Sequence, residues 1–174
     1  YSNSNNIVNF ASRVINQRNL QSMNNQFSPK ISEVLIYSKE EALRLHNECV
    51  APEHLLLGLI RDGEGKAIQI LRLLNLDFRS VKLRAEQSIQ GSAMQEMPDA
   101  DHEIILNEKA SKIMRLCLLE ARMLKAQVAD TEHILLAIMK EKDNNACRIL
   151  EENSIHYTDI LNLLTQKAEK SDVQ

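Results

Sequence analysis

Two glutamates that each precede a histidine are the first candidates for chemistry in this sequence. Glu53 and His54 form one pair, and Glu132 and His133 form the other, 79 residues later. Adjacent residues of a helix point about 100° apart, so the two side chains of a pair do not easily act together. The pattern H-E-x-x-H, which places two histidines on one helical face, is absent. We therefore expect no metal site, and we expect each histidine to anchor the start of a helix by hydrogen bonds.

The two carboxylates have a clearer chemistry. Glu53 and Glu132 each follow a loop and fall in the first turn of a predicted helix, where we expect exposed side chains. A carboxylate pairs with a guanidinium through two parallel hydrogen bonds, and the free N–H groups of a helix N-terminus favour an anion. Both glutamates are thus candidate binding residues. The plainer alternative is a surface glutamate that stabilises the helix dipole by about 0.3–1 kcal/mol.

Two other patterns are typical of enzymes, but each is incomplete. Cys49 and His54 are close enough in sequence to suggest a small Cys–His hydrolase, yet the second copy of the pattern has Val128 at the cysteine position. Residues 63–66, Gly-Glu-Gly-Lys, lack the preceding glycine and the following serine or threonine of a phosphate-binding loop. We therefore predict no catalytic residue, and a solvated turn at 63–66.

The composition disfavours several classes of protein. A hydrophobic content of 44% supports a core, which must be aliphatic because aromatic residues make up only 3%. The net charge of −3 disfavours a nucleic-acid partner. No apolar run approaches the roughly 20 residues that cross a bilayer, so we expect no membrane partner. Three cysteines without a C-x-x-C pair favour a reduced, cytoplasmic compartment.

An internal repeat organises the chain. Residues 27–89 align with residues 106–168 without a gap, and the agreement is densest around Glu-His and the leucine-rich run that follows. Apolar residues recur at helical spacing in both copies. The sequence therefore predicts an all-α domain of about eight helices, arranged as two pseudo-symmetric four-helix repeats that pack together. The predicted helices span about 29–46, 52–61, 66–74 and 79–90 in the first copy, and the last two recur at about 145–152 and 158–168.

The repeat also sets the predicted domain boundaries. The segments are 1–26 (extension), 27–90 (first copy), 91–105 (linker), 106–168 (second copy) and 169–174 (tail). The extension is rich in Asn, Ser and Gln and lies outside the repeat. We expect residues 1–22 to be an added or upstream segment. The alternative is an amphipathic helix at 7–15 that docks elsewhere.

Two motifs carry a resemblance to a known family. Residues 52–65 read PEHLLLGLIRDGEG, and residues 131–138 read TEHILLAI. They resemble the Clp N-terminal repeat of the Hsp100 class of AAA+ unfoldases. Both copies keep Glu-His-x-Leu-Leu, which is most similar to the ClpC branch. The resemblance covers about residues 27–168.

The resemblance implies a mobile, non-catalytic N-terminal domain of an ATP-dependent Clp protease ATPase subunit. Such a domain receives protein substrates and adaptor proteins and passes them to ATPase rings that feed a ClpP-type peptidase. It also implies no cofactor in this chain, ATP and magnesium in downstream modules, a monomeric fragment and a hexameric parent. A free-standing helical adaptor or regulatory protein is the alternative interpretation.

The resemblance also implies which residues bind. In ClpC-like members the glutamate of each Thr-Glu-His motif is associated with docking of phosphoarginine, and this implies a role for Glu53 and Glu132. Pro52 replaces the threonine of the first copy and removes a hydroxyl and an N–H group, so Glu132 with Thr131 is the better predicted site. A groove for adaptors is implied at three further positions, which are Leu35, Lys39 and Ile105.

Overall fold

Helices at the predicted places make up most of the chain in this computed structural model, which describes residues 26–89 and 103–171. The eight helices within these residues confirm the predicted all-α fold. The first copy holds α1 (Pro29–Arg44), α2 (Pro52–Asp62), α3 (Lys66–Leu73) and α4 (Phe78–Ile89). The second copy holds α5 (Glu108–Met123), α6 (Thr131–Lys140), α7 (Asn145–Glu152) and α8 (Tyr157–Ser171). Most of the predicted extension and linker lies outside the described residues.

Local sequence signals set where the helices begin and end. The Ser28 side chain accepts a hydrogen bond from the first turn of α1, and Pro29 follows at the first helical position. Asn107 caps α5 in the same way at the equivalent point of the second copy. Gly63 ends α2 with a φ of 71°, a left-handed conformation that glycine adopts without strain. The turn predicted after α2 is therefore confirmed.

The first two helices of each copy pack closely and form most of its core. A Cβ atom on Gly58 would collide with the Ser38 side chain, so the missing side chain lets α2 approach α1. Ala137 and Cys117 occupy the equivalent positions in the second copy, and both are buried. No helix among the described residues is long and apolar enough to cross a membrane.

The two copies are joined by equivalent contacts. Helix α2 packs on α7, and helix α6 packs on α3. Strand β1 (Cys49–Val50) pairs in parallel with β2 (Ile105–Leu106), and Phe27 bridges to Ala129 at the equivalent positions. Backbone hydrogen bonds of 2.8 Å continue both pairings. Each copy therefore holds the segment that precedes the first helix of the other, and this pseudo-symmetry brings the start of α2 beside the start of α7.

Candidate functional site

Both histidines anchor the first turn of a helix, as the sequence predicts. The Nδ1 atom of His54 accepts the Ala51 N–H at 2.8 Å, and its Nε2 atom lies 2.9 Å from the Asn47 side-chain oxygen. His133 accepts the Asp130 N–H at 2.9 Å. Burial lowers the pKa of His54 to about 4, so the ring is neutral at physiological pH. Each ring thus supplies the hydrogen bond that runs from the third helical residue back to the N-cap N–H group. The reciprocal bond of a full capping box is absent at the start of α2, because Ala51 has no side-chain acceptor.

The two glutamates are buried, whereas the sequence predicted exposed side chains. The exposed fraction is 7% for Glu53 and 5% for Glu132. The difference arises because each helix start faces the other copy, where Asn145 or Lys66 contacts the carboxylate. Burial raises the pKa of both carboxyl groups, and hydrogen bonds from their own backbone N–H groups offset part of that effect.

A cavity of about 590 Å³ opens beside Glu53 at the junction of the two copies. The Asn145 side chain hydrogen-bonds the Glu53 carboxylate, and this bond and the positive charge of Lys109 offset part of the rise in its pKa. Arg148 lines the same cavity and donates a hydrogen bond to the Asn145 side-chain oxygen at 3.1 Å. Lys109 lies 3.5 Å from the exposed carboxylate of Asp143. One buried carboxylate and two cations therefore share a cavity with walls from both copies.

The first turn of α7 adds backbone donors beside this cavity. Asn144 caps the helix by accepting the Cys147 N–H at 2.8 Å. Among the described residues, the N–H groups of Asn145 and Ala146 have no assigned acceptor. Pro52 lines the cavity and has no hydroxyl to accept them. Uncapped N–H groups at a helix start suit an anion.

At the equivalent position around Glu132, the chain's own groups contact one another. The Lys66 Nζ atom lies 3.6 Å from Glu132 Oε1, and no donor among the described residues hydrogen-bonds Oε2. The Thr131 hydroxyl accepts the Ala67 N–H at 3.1 Å, and its side chain is buried. A Cβ atom on Gly65 would lie 2.7 Å from Thr131 Oγ1, so glycine permits this contact. Thr131, predicted to bind a ligand, thus already has a partner within the chain.

Cys49 is not prepared to act as a nucleophile. Burial and the nearby Glu48 raise the pKa of its thiol. Both ring nitrogens of His54 are engaged, one by the Ala51 N–H and the other by Asn47. A catalytic cysteine needs a lowered pKa or a base that is free to take its proton. The geometry therefore gives the Cys–His hydrolase alternative no support.

The three positions predicted for an adaptor groove differ in exposure. Leu35 is 3% exposed, because it lies on the face of α1 that packs into the core. A partner on the surface therefore does not reach it. Ile105 is 50% exposed on β2, and Lys39 is partly exposed on α1. The groove stays a prediction for Lys39 and Ile105.

Sequence reasoning does not identify Lys109, Asn145 or Arg148 as residues of the site. A signal exists in the repeat, because Asn145 aligns with Lys66 and Arg148 aligns with Gln69. These differences show that the two copies are not chemically equivalent. Which helix faces each glutamate depends on how the copies pack, and the sequence alone does not show that.

Comparison with known proteins decides the family. The family model described as "Clp repeat (R) N-terminal domain" matches residues 26–153. This chain belongs to that family. "Negative regulator of genetic competence ClpC/MecB" from Bacillus subtilis (strain 168) is 37% identical over 125 residues, or 72% of this chain and 15% of that protein. "Chaperone protein ClpB" from Oceanobacillus iheyensis is 36% identical over 125 residues, with the same two coverages of 72% and 15%.

Solved structures share the fold of this Clp repeat domain. The Hsp104 N-terminal domain from Candida albicans matches with a TM-score of 0.65 at 16% identity, covering 80% of this chain and 89% of that one. The predicted resemblance is therefore confirmed for family and fold. The chain spans 15% of the length of the two curated relatives, so it corresponds to one segment of each.

Proposed function

We propose that this Clp repeat domain recruits protein substrates and adaptor proteins for an ATP-dependent unfoldase. Membership of the family supports this role. In the proposal the domain catalyses no reaction itself and binds no cofactor. ATP and magnesium belong to downstream modules of a hexameric, cytoplasmic parent, which delivers unfolded chains to a ClpP-type peptidase.

The cavity beside Glu53 is the observation that carries a more specific proposal. A guanidinium would pair with the Glu53 carboxylate, and a phosphoryl group attached to it would reach Lys109, Arg148 and the two N–H groups in the first turn of α7 that have no acceptor among the described residues. Phosphoarginine combines these two groups in one side chain. We therefore propose that proteins marked with phosphoarginine dock here. The sequence instead predicts that the equivalent position, Glu132 with Thr131, is the better docking site.

Titration of the 174-residue chain with two matched peptides tests this function. One peptide carries phosphoarginine and the other carries arginine at the same position. We expect the phosphorylated peptide to bind about tenfold more tightly or better, because charge-assisted hydrogen bonds hold its phosphoryl group. Glu53→Gln should abolish most of the binding, because it removes the charge and keeps the shape of the side chain.

Glu108→Gln is the matched control, because Glu108 is also a glutamate in the first turn of a helix but is exposed on α5. Its binding should equal that of the unaltered chain. Equal affinity for the two peptides would contradict the docking proposal. Unchanged binding after Glu53→Gln would contradict the assigned cavity.

A further inference from the structure

The two glutamate positions are equivalent in the repeat but differ in the groups that they leave free. We name the surroundings of Glu53 the first-copy site and those of Glu132 the second-copy site. Resting on the function proposed above, we infer that the domain holds a single phosphoarginine, at the first-copy site, and that Arg148 holds its phosphoryl group. The second-copy site has no place for that group.

At the second-copy site, backbone N–H groups around the start of α3 already donate hydrogen bonds to other groups of the chain. The N–H groups of Glu64 and Gly65 donate to the Asp62 carboxylate at 3.3 and 3.0 Å. The Ala67 N–H donates to the Thr131 hydroxyl at 3.1 Å. These donors, which an anion would need, already have acceptors, and one of the acceptors is itself negatively charged.

The first-copy site keeps the corresponding donors available. Pro52 stands where the second copy has Thr131, so no hydroxyl reaches across to α7. The Ala146 N–H, which is the equivalent of the Ala67 N–H, has no acceptor assigned within the described residues. Loss of the threonine hydroxyl therefore frees a donor for an anion. In this inference Pro52 strengthens the site, whereas the sequence analysis expects Glu132 with Thr131 to be the better site.

Lys30 and Lys109, in the first turns of α1 and α5, differ in the number of carboxylates that lie close to them. Three carboxylates lie within 3.8 Å of the Lys30 Nζ atom, and they belong to Glu33, Asp62 and Glu64. Within the described residues, Lys109, the equivalent of Lys30, forms an ion pair with Asp143 alone. The first-copy site therefore offers an incoming anion a cation with fewer competing carboxylates.

Arg148 adds a cation that the other copy lacks. Its equivalent is Gln69, a neutral side chain that donates to the Glu64 backbone oxygen at 3.3 Å. A guanidinium can hold a phosphoryl group through two parallel hydrogen bonds. At the second-copy site the nearest cation is Lys66, which contacts Glu132 itself and so competes with a ligand guanidinium.

The second-copy site retains a binding capacity of a different kind. The Oε2 atom of Glu132 has no hydrogen-bond donor among the described residues, so the carboxylate can accept one. Most walls of the cavity of about 450 Å³ beside it are apolar, and Lys125 is the one cation among the described residues that line it. A phosphoryl group placed against apolar walls loses its hydration without new donors. The site therefore suits a cation that carries no phosphate.

Calorimetric titration of the 174-residue chain with free phosphoarginine gives stoichiometry and affinity together. We expect one phosphoarginine per chain. Arg148→Gln, which installs the residue found at position 69, should weaken binding about tenfold or more. Arg115→Gln is the matched control, because Arg115 is exposed on α5 and has no hydrogen bond or ion pair assigned within the described residues. Arg148 is also exposed, and circular dichroism verifies that both variants fold.

The variant Glu132→Gln distinguishes a failure of this inference from a failure of the proposed docking function. One site with the same affinity in Glu132→Gln and a reduced affinity in Arg148→Gln supports the inference. Two sites, or equal losses in Glu132→Gln and Glu53→Gln, overturn it and leave the docking function standing. Unchanged affinity in Arg148→Gln overturns the role of that residue. Absence of phosphoarginine binding by the unaltered chain overturns both the inference and the docking function.

Discussion

His54 shows at the scale of one residue how hydrogen bonding and burial fix a charge state. Its Nδ1 atom accepts the N–H that opens α2, and a protonated ring would lose that acceptor. The ring is 1% exposed, and burial lowers its pKa to about 4. The neutral ring is therefore part of the folded structure, and its protonation opposes folding.

Stability should consequently fall in mild acid. An unfolded histidine binds a proton near pH 6.5, whereas folded His54 does so near pH 4, so the unfolded state binds more protons between those values. The contribution of His54 to the free energy of unfolding should drop by about 3 kcal/mol over that range. His54→Gln keeps a side-chain acceptor for the Ala51 N–H and should lack this pH-dependent contribution. Urea unfolding at several values from about pH 7 to about pH 4 measures the free energy of unfolding of the unaltered chain and the variant. A titration of the His54 ring followed by NMR, with a midpoint near the ordinary histidine pKa, would contradict the account.

The residue scale also shows what the sequence can and cannot reveal. The histidine anchors were predictable, because the N–H groups that donate to the two rings lie within the same helix start. The burial of Glu53 and Glu132 was not, because the neighbours that cover them come from the other copy. The same limit applies to Arg148, which enters the site only through tertiary packing.

At the scale of elements, the contact between α6 and α3 depends on a residue without a side chain. Gly65 lies against Thr131, and a Cβ atom there would be 2.7 Å from its hydroxyl oxygen. The threonine in turn caps α3 by accepting the Ala67 N–H. Helix bounds were predictable from caps and periodicity. The parallel pairings at Cys49–Val50 and Ile105–Leu106 were not, because two residues are too few to show a strand pattern.

Gly65→Ala should therefore destabilise the fold through this contact. We expect a loss of about 1–3 kcal/mol in the free energy of unfolding, because the added methyl group overpacks the interface. Thr131→Ala removes the atoms nearest to the new methyl group, so Gly65→Ala should cost less in that background. Urea unfolding of the unaltered chain, the two single variants and the double variant completes a double-mutant cycle. An equal cost in both backgrounds would contradict the proposed clash.

At the scale of the whole molecule, the repeat creates a site that neither copy contains alone. Glu53 comes from the first copy, and Lys109, Asn145 and Arg148 come from the second. The interlocked strand pairings hold the copies in the register that brings these groups together. Two similar units thus form two unequal positions, since the donors and cations that an anion needs are available beside Glu53 and are engaged by the chain itself beside Glu132.

A residue-resolved map of ligand binding tests the central claim that the cavity between the copies at Glu53 is the docking site. The measurement is the change in backbone amide NMR shifts when phosphoarginine is added to the 174-residue chain. The account predicts the largest changes at Glu53, Asn145 and Ala146, with much smaller changes at Ala67 and Glu132. Largest changes at the start of α3, or no change at the start of α7, would contradict it.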